Sequence, residues 1–151
     1  MGFGEPIRFA QSTDLSYEPE RVFDLVADVE RYPEFLTEYR GVHIRARDGD
    51  TLHVDQEIVF GGVALGLYAV ATLRRAESIV VCSHHALMGD LEIRWTFAPG
   101  KIGTRVDFSM ELTPPSRIAA GFIGTLLAKS ARRTMEAFTE RARKVYGRGL
   151  A

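Results

Sequence analysis

The stretch VDFSMELTPPSRIAAGFIGTLLAKSARRTMEAFTERARKVY, residues 106–146, decides the fold. Residues 106–112 alternate between apolar and polar side chains, which is typical of a strand with one buried face. Pro114-Pro115 then ends the strand, and apolar residues recur at helical spacing from about Ser116 to Tyr146. A long amphipathic helix that follows a set of strands buries its apolar stripe against their sheet. The stretch therefore predicts a sheet that grips a long C-terminal helix around an apolar hollow.

The composition is that of an ordinary globular protein. The chain has 151 residues, of which 46% are hydrophobic and 26% are charged. This length predicts one domain over residues 1–151, with a core from about residue 7 to residue 147. Lys and Arg number 19 against 20 Asp and Glu, so the overall charge favours neither a nucleic-acid binder nor an acidic solubiliser.

The single cysteine and the lack of long apolar runs bear on where in the cell the protein is expected. Cys82 is the only cysteine, so the chain predicts no internal disulfide, and no Cys/His spacing resembles a zinc site. The first residues lack the basic start and apolar core of a signal peptide, and no run reaches the roughly 20 apolar residues of a spanning helix. We expect a cytoplasmic protein, with peripheral contact to the inner face of a membrane as an option.

The order of predicted elements is β-α-α-β(five or six)-α, an α+β arrangement. Residues 7–15 alternate as a first strand, and a short helix follows that Ser16 would cap and Pro19 would begin. A second short helix, or a kinked continuation of the first, is predicted within residues 28–36. An antiparallel meander then runs to residue 112, with Asp48-Gly49-Asp50 as a strong hairpin turn. The predicted antiparallel sheet has six or seven strands.

One predicted strand, residues 63–73, is apolar on both sides. Such a strand is covered on both faces or lines a partner surface. Helices on one face of the sheet would leave room for a hydrophobic small molecule beneath them.

Motifs for nucleophilic, phosphate or metal chemistry are missing from the sequence. It has no Gly-x-Ser-x-Gly elbow, no Walker loop and no Gly-x-Gly-x-x-Gly before a helix. His84 and His85 point to opposite faces of their strand and cannot share one metal ion, while Cys82 is read as a plain buried thiol. We predict no catalytic residues, no metal site and no required cofactor.

Polar and aromatic residues on apolar strand faces are the better candidates. Gln56, Ser83 and His85 would supply donors and acceptors inside a cavity, or bond to one another in a dry core. Aromatic residues there suit a flat or polyisoprenoid guest, although such residues are usually core. The predicted cavity residues are Tyr32, Pro33, Phe35, Gln56, Ile58, Phe60, Leu67, Ser83, His85, Trp95, Phe108, Phe122, Ile123, Leu126 and Leu127.

The C-terminal helix carries a second, basic surface. Its apolar stripe of Ile123, Leu127, Ala131, Thr134, Met135, Phe138, Ala142 and Val145 is expected to press on the sheet. Cations outnumber acids elsewhere on the helix, either as a solvated face or as a docking surface for anionic lipid headgroups or RNA. The candidate docking residues are Lys129, Arg132, Arg133 and Arg141.

Four segments together resemble a known family. They are VADVERYPEFL (residues 26–36), WTF (residues 95–97), TRVDF (residues 104–108) and MEAFTERA (residues 135–142). They are similar to the Coq10 / RatA branch of the START-like (SRPBCC, polyketide cyclase-like) superfamily, and the similarity extends from about Phe9 to Gly147. The Asp-Val-x-x-Tyr-Pro-x-Phe element is the more specific part.

The resemblance implies a helix-grip (Bet v1-like) fold with an apolar tunnel. It further implies that ubiquinone or a related prenylated lipid binds there without enzymatic change, in support of respiration or quinone synthesis. One alternative is a RatA-like toxin that binds the ribosome and blocks subunit association. A second is an aromatase/cyclase-type enzyme, for which His85 would be the acid or base. The oligomeric state is not predicted.

Overall fold

A seven-stranded antiparallel sheet, two α-helices and one short 3-10 helix make up the described part of the chain. The computed structural model describes residues 5–149, except the side chains of residues 118 and 119; residues 1–4 and 150–151 of the predicted domain lie outside the described residues. The elements are β1 (Ile7–Leu15), α1 (Pro19–Ala27), a 3-10 helix (Val29–Glu34), β2 (Tyr39–Asp48), β3 (Thr51–Phe60), β4 (Val63–Arg74), β5 (Ser78–His85), β6 (Gly89–Pro99), β7 (Thr104–Thr113) and α2 (Arg117–Tyr146).

The strands follow one another in the order β1-β7-β6-β5-β4-β3-β2, and each neighbouring pair is antiparallel. Strand β1 therefore pairs with β7. From β7 to β3, each strand lies beside the one that precedes it in the chain. The long helix α2 packs on the inner face of this sheet. The predicted helix grip, with its long C-terminal helix, is confirmed.

The core lies between the inner face of the sheet and α2. Alternate residues of β7 are buried from Thr104 to Leu112, as the period of two requires. Helix α1 covers one end, where Phe23 packs edge-on against Phe97 with ring centroids 5.6 Å apart. The buried residues of α2 are Ile123, Leu127, Ala131, Met135, Phe138 and Ala142.

The helix boundaries near the N-terminus differ from the prediction. Glu18, and not Ser16, precedes the first turn of α1. Its carbonyl oxygen accepts hydrogen bonds from the amide nitrogens of Arg21 and Val22, at 3.0 and 3.1 Å. Pro19 starts the helix as expected. The second predicted helix is a short 3-10 helix, which tolerates Pro33 because it offers few backbone bonds to lose.

Strand β4 is covered on one face only. Leu65, Leu67, Ala69 and Ala71 are buried, whereas the alternate residues such as Tyr68 are exposed. Coverage on both faces was therefore a wrong prediction, because α1 and α2 both lie on the inner side. Cys82, on the outer face of the neighbouring strand β5, is likewise exposed and not buried as predicted.

One member of the predicted apolar stripe of α2 faces solvent. Val145 is 50% exposed, because Tyr146, four residues after Ala142, takes the covered position in the last turn. The Tyr146 hydroxyl donates to the carbonyl of Arg21 at 2.8 Å and so fixes the end of α2 to α1. Neither helix within residues 5–149 is long and apolar enough to cross a membrane.

Candidate functional site

An apolar cavity of about 100 Å³ lies between the inner face of the sheet and α2. A cavity of about 150 Å³ is known to hold one benzene ring, so this hollow has nearly the size of a single aromatic ring. Its apolar wall residues are Val29, Leu36, Val42, Val54, Ile58, Val59, Phe60, Leu67, Ala69, Ala71, Ile79, Val81, Met88, Leu91, Ile93, Trp95, Phe108, Met110, Leu127 and Phe138.

Aromatic rings close one side of the cavity. The ring of Trp95 lies 4.5 Å from that of Phe108 and 5.1 Å from that of Phe138, measured between centroids. Tyr32 stands edge-on to both Phe138 and Tyr39, each at 5.4 Å. Edge-to-face contacts of this kind hold aromatic rings in defined orientations. This side of the cavity is therefore a packed wall with a fixed shape.

The two tyrosines of the wall stay protonated at neutral pH. Burial, with Tyr39 and Asp28 adding to it, raises the pKa of Tyr32 well above its usual value. Burial and the nearby charge of Glu38 raise the pKa of Tyr39 to about 12. The Tyr32 hydroxyl donates to the carbonyl of Val26 at the end of α1. Tyr39 therefore offers a phenolic hydrogen-bond donor at the cavity. The hydroxyl of Tyr32 already donates its hydrogen to Val26.

A carboxylate, Glu38, also lies on the cavity wall. It follows the 3-10 helix, and its main-chain carbonyl accepts the amide of Val59 at 2.7 Å, which ties this loop to β3. Its side chain is 16% exposed, and Oε1 lies 3.4 Å from Nε of Arg133 on α2. This pair has ion-pair distance but not hydrogen-bond geometry, since Oε1 is buried without a hydrogen-bond partner among the described residues.

Small polar side chains complete the wall. Ser130 and Thr134 lie one turn apart on α2, between the apolar residues Leu127 and Phe138. Gln56 and Ser83 face them from β3 and β5. Within residues 5–149 none of these four side chains makes a hydrogen bond. The cavity thus combines an apolar wall with a few polar groups that can orient a guest, the usual composition of a small-molecule site.

Most of the predicted cavity residues line the cavity. Those on the wall are Tyr32, Gln56, Ile58, Phe60, Leu67, Ser83, Trp95, Phe108 and Leu127. The sequence placed them there through strand alternation and the helical stripe, and both patterns hold in the structure.

Two predicted residues beside Tyr32 lie away from the cavity. Pro33 is exposed on the 3-10 helix. Phe35 packs behind Phe138, with ring centroids 5.1 Å apart, and the guanidinium of Arg141 covers its ring at 5.0 Å. Neighbours in sequence point in different directions from this tight helix, so a motif of consecutive residues could not all reach one cavity.

His85 also lies off the wall, although it has the inward register of Ser83. It is the last residue of β5, and its Nδ1 accepts the amide of Leu87 at 3.0 Å in the following loop. This bond belongs to the turn that follows β5, which ends at His85. The aromatase/cyclase alternative named His85 as its acid or base, and this residue is not among those that line the cavity.

Three predicted residues in the first half of α2 are likewise absent from the wall. Phe122 is 67% exposed, and Ile123 is buried in the core beyond the cavity. Leu126 lies against the β3–β4 turn, where a Cβ on Gly61 would come within 2.8 Å of its Cδ1. The cavity therefore begins one turn later along α2, at Leu127.

The predicted docking residues fall into two groups. Lys129 and Arg132 are exposed, as expected for a basic surface. Arg133 is directed toward Glu38, and only 13% of the Arg141 side chain is exposed because it pairs with Glu34. The assignment of Arg141 to a docking surface is therefore wrong, since its charge is used inside the fold.

The sequence interpretation missed three polar residues of the cavity wall, Glu38, Ser130 and Thr134. Ser130 and Thr134 carried a detectable signal, because they follow Leu127 at steps of three and four within the apolar stripe. Glu38 carried none, since its position depends on how the 3-10 helix turns the chain into β2. A single acidic residue after a short helix is normally assigned to the surface.

The matching family profile spans most of the fold. Residues 15–139 match the family described as polyketide cyclase / dehydrase and lipid transport. The chain belongs to this family, and the predicted resemblance to the START-like superfamily is confirmed.

Named relatives include two kinds of protein. The ribosome association toxin RatA of Pseudomonas aeruginosa is 24% identical over 138 residues, which cover 91% of this chain and 96% of the toxin. RatA of Rickettsia prowazekii is 25% identical over 143 residues, covering 92% of this chain and 98% of the toxin. The mitochondrial coenzyme Q-binding protein COQ10 homolog B of Xenopus laevis is 24% identical over 149 residues, covering 94% of this chain and 60% of that protein.

Solved structures share the architecture. The ZhuI aromatase/cyclase of Streptomyces sp. R1128 superposes with a TM-score of 0.83 at 12% identity, over 97% of this chain and 100% of that one. A START superfamily protein from Mycobacterium smegmatis gives a TM-score of 0.81 at 15% identity, over 92% and 99% of the two chains. At such identities the likeness concerns the fold alone.

Proposed function

We propose that the protein is a non-enzymatic carrier of ubiquinone or a related prenylated lipid. The observation that carries the proposal is the cavity, which has an aromatic wall, nearly the volume of one ring, and few polar groups. The ring of the ligand would sit against Trp95 and Phe138. Its tail would follow Ile58, Phe60 and Met88 toward the β3–β4 turn, where the wall is apolar.

Two further observations support a lipid. The family includes lipid transport in its description, and one relative is named as a coenzyme Q-binding protein. The proposal requires no cofactor, and no side chain in it is assigned to catalysis.

Extraction of the purified protein with organic solvent, followed by mass spectrometry, tests the proposal directly. We expect a prenylated quinone in the extract. Trp95 is the only tryptophan and lies on the cavity wall, so its fluorescence reports occupancy when a short-chain ubiquinone is titrated. Protein that is empty on extraction and shows no saturable quenching would contradict the proposal.

A matched pair of variants locates the binding. Ala69→Leu extends an inward residue of β4 into the cavity and should abolish quenching, because the added volume occupies the space of the ring. Val70→Leu, one position along on the outer face, should leave the titration unchanged. Equal binding by both variants would show that the quinone binds elsewhere.

Ribosome association is a second candidate, favoured by the two RatA relatives that align over nearly their whole length. Lys129 and Arg132 are two exposed cations in the middle of α2 that could contact RNA phosphates. Overexpression should then raise free ribosomal subunits in a sucrose gradient, and Lys129→Glu/Arg132→Glu should restore the normal profile. Arg143→Glu, in the last turn, is the control; an unchanged profile with the unaltered protein would exclude this function.

A further inference from the structure

The polar groups of the cavity differ in what they can recognise. Gln56, Ser130 and Thr134 can each donate or accept a hydrogen bond, so they suit a carbonyl or a hydroxyl equally well. Glu38 is different, because an ionised carboxylate only accepts. Of these four residues, only Glu38 therefore favours a guest that carries a hydroxyl donor over one that carries a carbonyl.

Glu38 still has unused capacity to accept. Its Oε1 has no hydrogen bond among the described residues, although the atom is buried. Arg133 is a weak partner, since its Nε lies 3.4 Å away and its own side chain is 60% exposed. Glu38 lies on the cavity wall, and its carboxylate makes no hydrogen bond among the described residues, so a ligand that donates one to this group gains free energy on binding.

We propose that the cavity selects the reduced, hydroxyl-bearing form of its aromatic ligand, with Glu38 accepting a hydrogen bond from the ring hydroxyl. This inference rests on the proposed lipid-binding function and deepens it. A hydroquinone or phenol presents an O–H to the carboxylate, whereas a quinone presents a carbonyl oxygen that the same carboxylate repels. The phenol of Tyr39, which stays protonated, can donate to a second oxygen of either form.

The size of the preference follows from one charge-assisted hydrogen bond in a partly buried site. Such a bond corresponds to a roughly ten-fold or greater difference in dissociation constant between the two forms. By linkage, a ten-fold preference for the hydroquinone raises the two-electron potential of the bound quinone by about 30 mV. The protein would then hold the quinone pool's reduced member more tightly than its oxidised one.

The test compares both redox forms of a decyl-chain ubiquinone analogue by Trp95 fluorescence under argon. Unaltered protein should bind the borohydride-reduced form roughly ten-fold more tightly than the oxidised form. Glu38→Gln should bring the ratio close to one, because an amide donates as well as accepts. Glu57→Gln, an exposed glutamate 4.0 Å from Arg40 on the same strand pair, should keep the ratio of the unaltered protein.

A second comparison needs no variant and applies even if Glu38→Gln does not fold. A 4-decylphenol should bind the unaltered protein roughly ten-fold more tightly than 4-decylanisole, its methyl ether, which lacks the donor. Equal affinities within both ligand pairs would overturn the inference and leave the proposed lipid binding intact. Absence of binding by all four ligands would overturn both.

Discussion

Arg141 Nη2 donates a hydrogen bond to Glu34 Oε1 at 2.9 Å, and so joins the last third of α2 to the 3-10 helix beside the cavity. The same guanidinium covers the ring of Phe35 at 5.0 Å. Arg141 is thus a structural residue that sets the distance between α2 and the segment carrying Tyr32. The aromatic wall of the cavity depends on that distance, because Tyr32 packs against Phe138 of α2.

Arg141→Met should destabilise the fold and reduce its sensitivity to acid. Arg141 lowers the pKa of Glu34 through their hydrogen bond, so the pair stabilises the fold above the pKa of an unfolded glutamate and is lost as the pH falls through the lower folded pKa. The unaltered protein should therefore lose part of its stability below about pH 4.3. Melting temperatures at pH 7 and pH 3 measure this, and the variant should show the smaller difference.

Arg143→Met is the matched control for this experiment. Arg143 pairs with Glu140 on the same helix, but both side chains are largely exposed. Its replacement should change the melting temperature little at either pH. Equal changes in melting temperature for the two substitutions would show that the contact between Arg141 and Glu34 stabilises the fold no more than the exposed pair of Arg143 and Glu140.

Removal of single hydroxyls should distinguish the two tyrosines of the wall. Tyr32→Phe leaves the carbonyl of Val26 without its donor and should cost about 1–2 kcal/mol at pH 7. Tyr39→Phe removes a hydroxyl that has no hydrogen bond among the described residues, and should cost less than about 0.5 kcal/mol. Urea unfolding of both variants checks this, and the reverse order would contradict the assigned bond.

The raised pKa of Tyr39 also predicts an alkaline transition. An unfolded tyrosine releases its proton near pH 10, whereas folded Tyr39 keeps it to about pH 12. Stability is therefore complete below pH 10 and falls as the pH rises toward 12, by up to about 2 kcal/mol from this residue. Tyr39→Phe should show a shallower decline between these pH values in the same urea titrations.

The fold was predictable because two periodicities dominate this sequence. Alternation fixed the inward face of each strand, and the stripe from Ile123 to Ala142 fixed the buried side of α2. Gln56 and Ser83 could therefore be placed in the cavity from their register alone. Periodicity says nothing about residues outside regular elements, which is why Glu38 was missed and Pro33 was wrongly included.

The sequence patterns also failed to predict how residues near the ends of strands and helices are placed. His85 has the inward register, yet its position at the end of β5 lets the ring turn to the amide of Leu87. Phe122 has helical spacing with Leu126, yet its side chain stays 67% exposed beside the β3–β4 turn. Alternation and helical spacing predict direction, whereas burial requires a neighbour that only the assembled fold supplies.

Gly89 should be far less replaceable than Gly49, although both have positive φ values, of 96° and 58°. A Cβ at Gly89 would lie 1.9 Å from the carbonyl oxygen of Thr113, which is main chain and cannot rotate away. Gly89→Ala should cost about 3 kcal/mol or more. Gly49→Ala meets nothing within 4 Å and should cost about 1 kcal/mol, the backbone penalty alone. Urea midpoints of the two variants measure the difference; equal losses would mean that the start of β6 shifts freely.

Two glycines at opposite ends of α2 should respond to alanine with opposite signs. Gly121 lies within the helix, and a Cβ there meets nothing within 4 Å, so Gly121→Ala should raise the free energy of unfolding by about 0.5–1 kcal/mol through helix propensity. Gly147 follows the helix with φ of 71°, and its amide donates to the carbonyl of Arg143 at 2.9 Å. Gly147→Ala should lower the free energy of unfolding by about 1 kcal/mol, because alanine resists this left-handed conformation. Thermal and urea unfolding of both variants decide the sign. A loss of stability in Gly121→Ala would show that the first half of α2 needs the flexibility of glycine at this position.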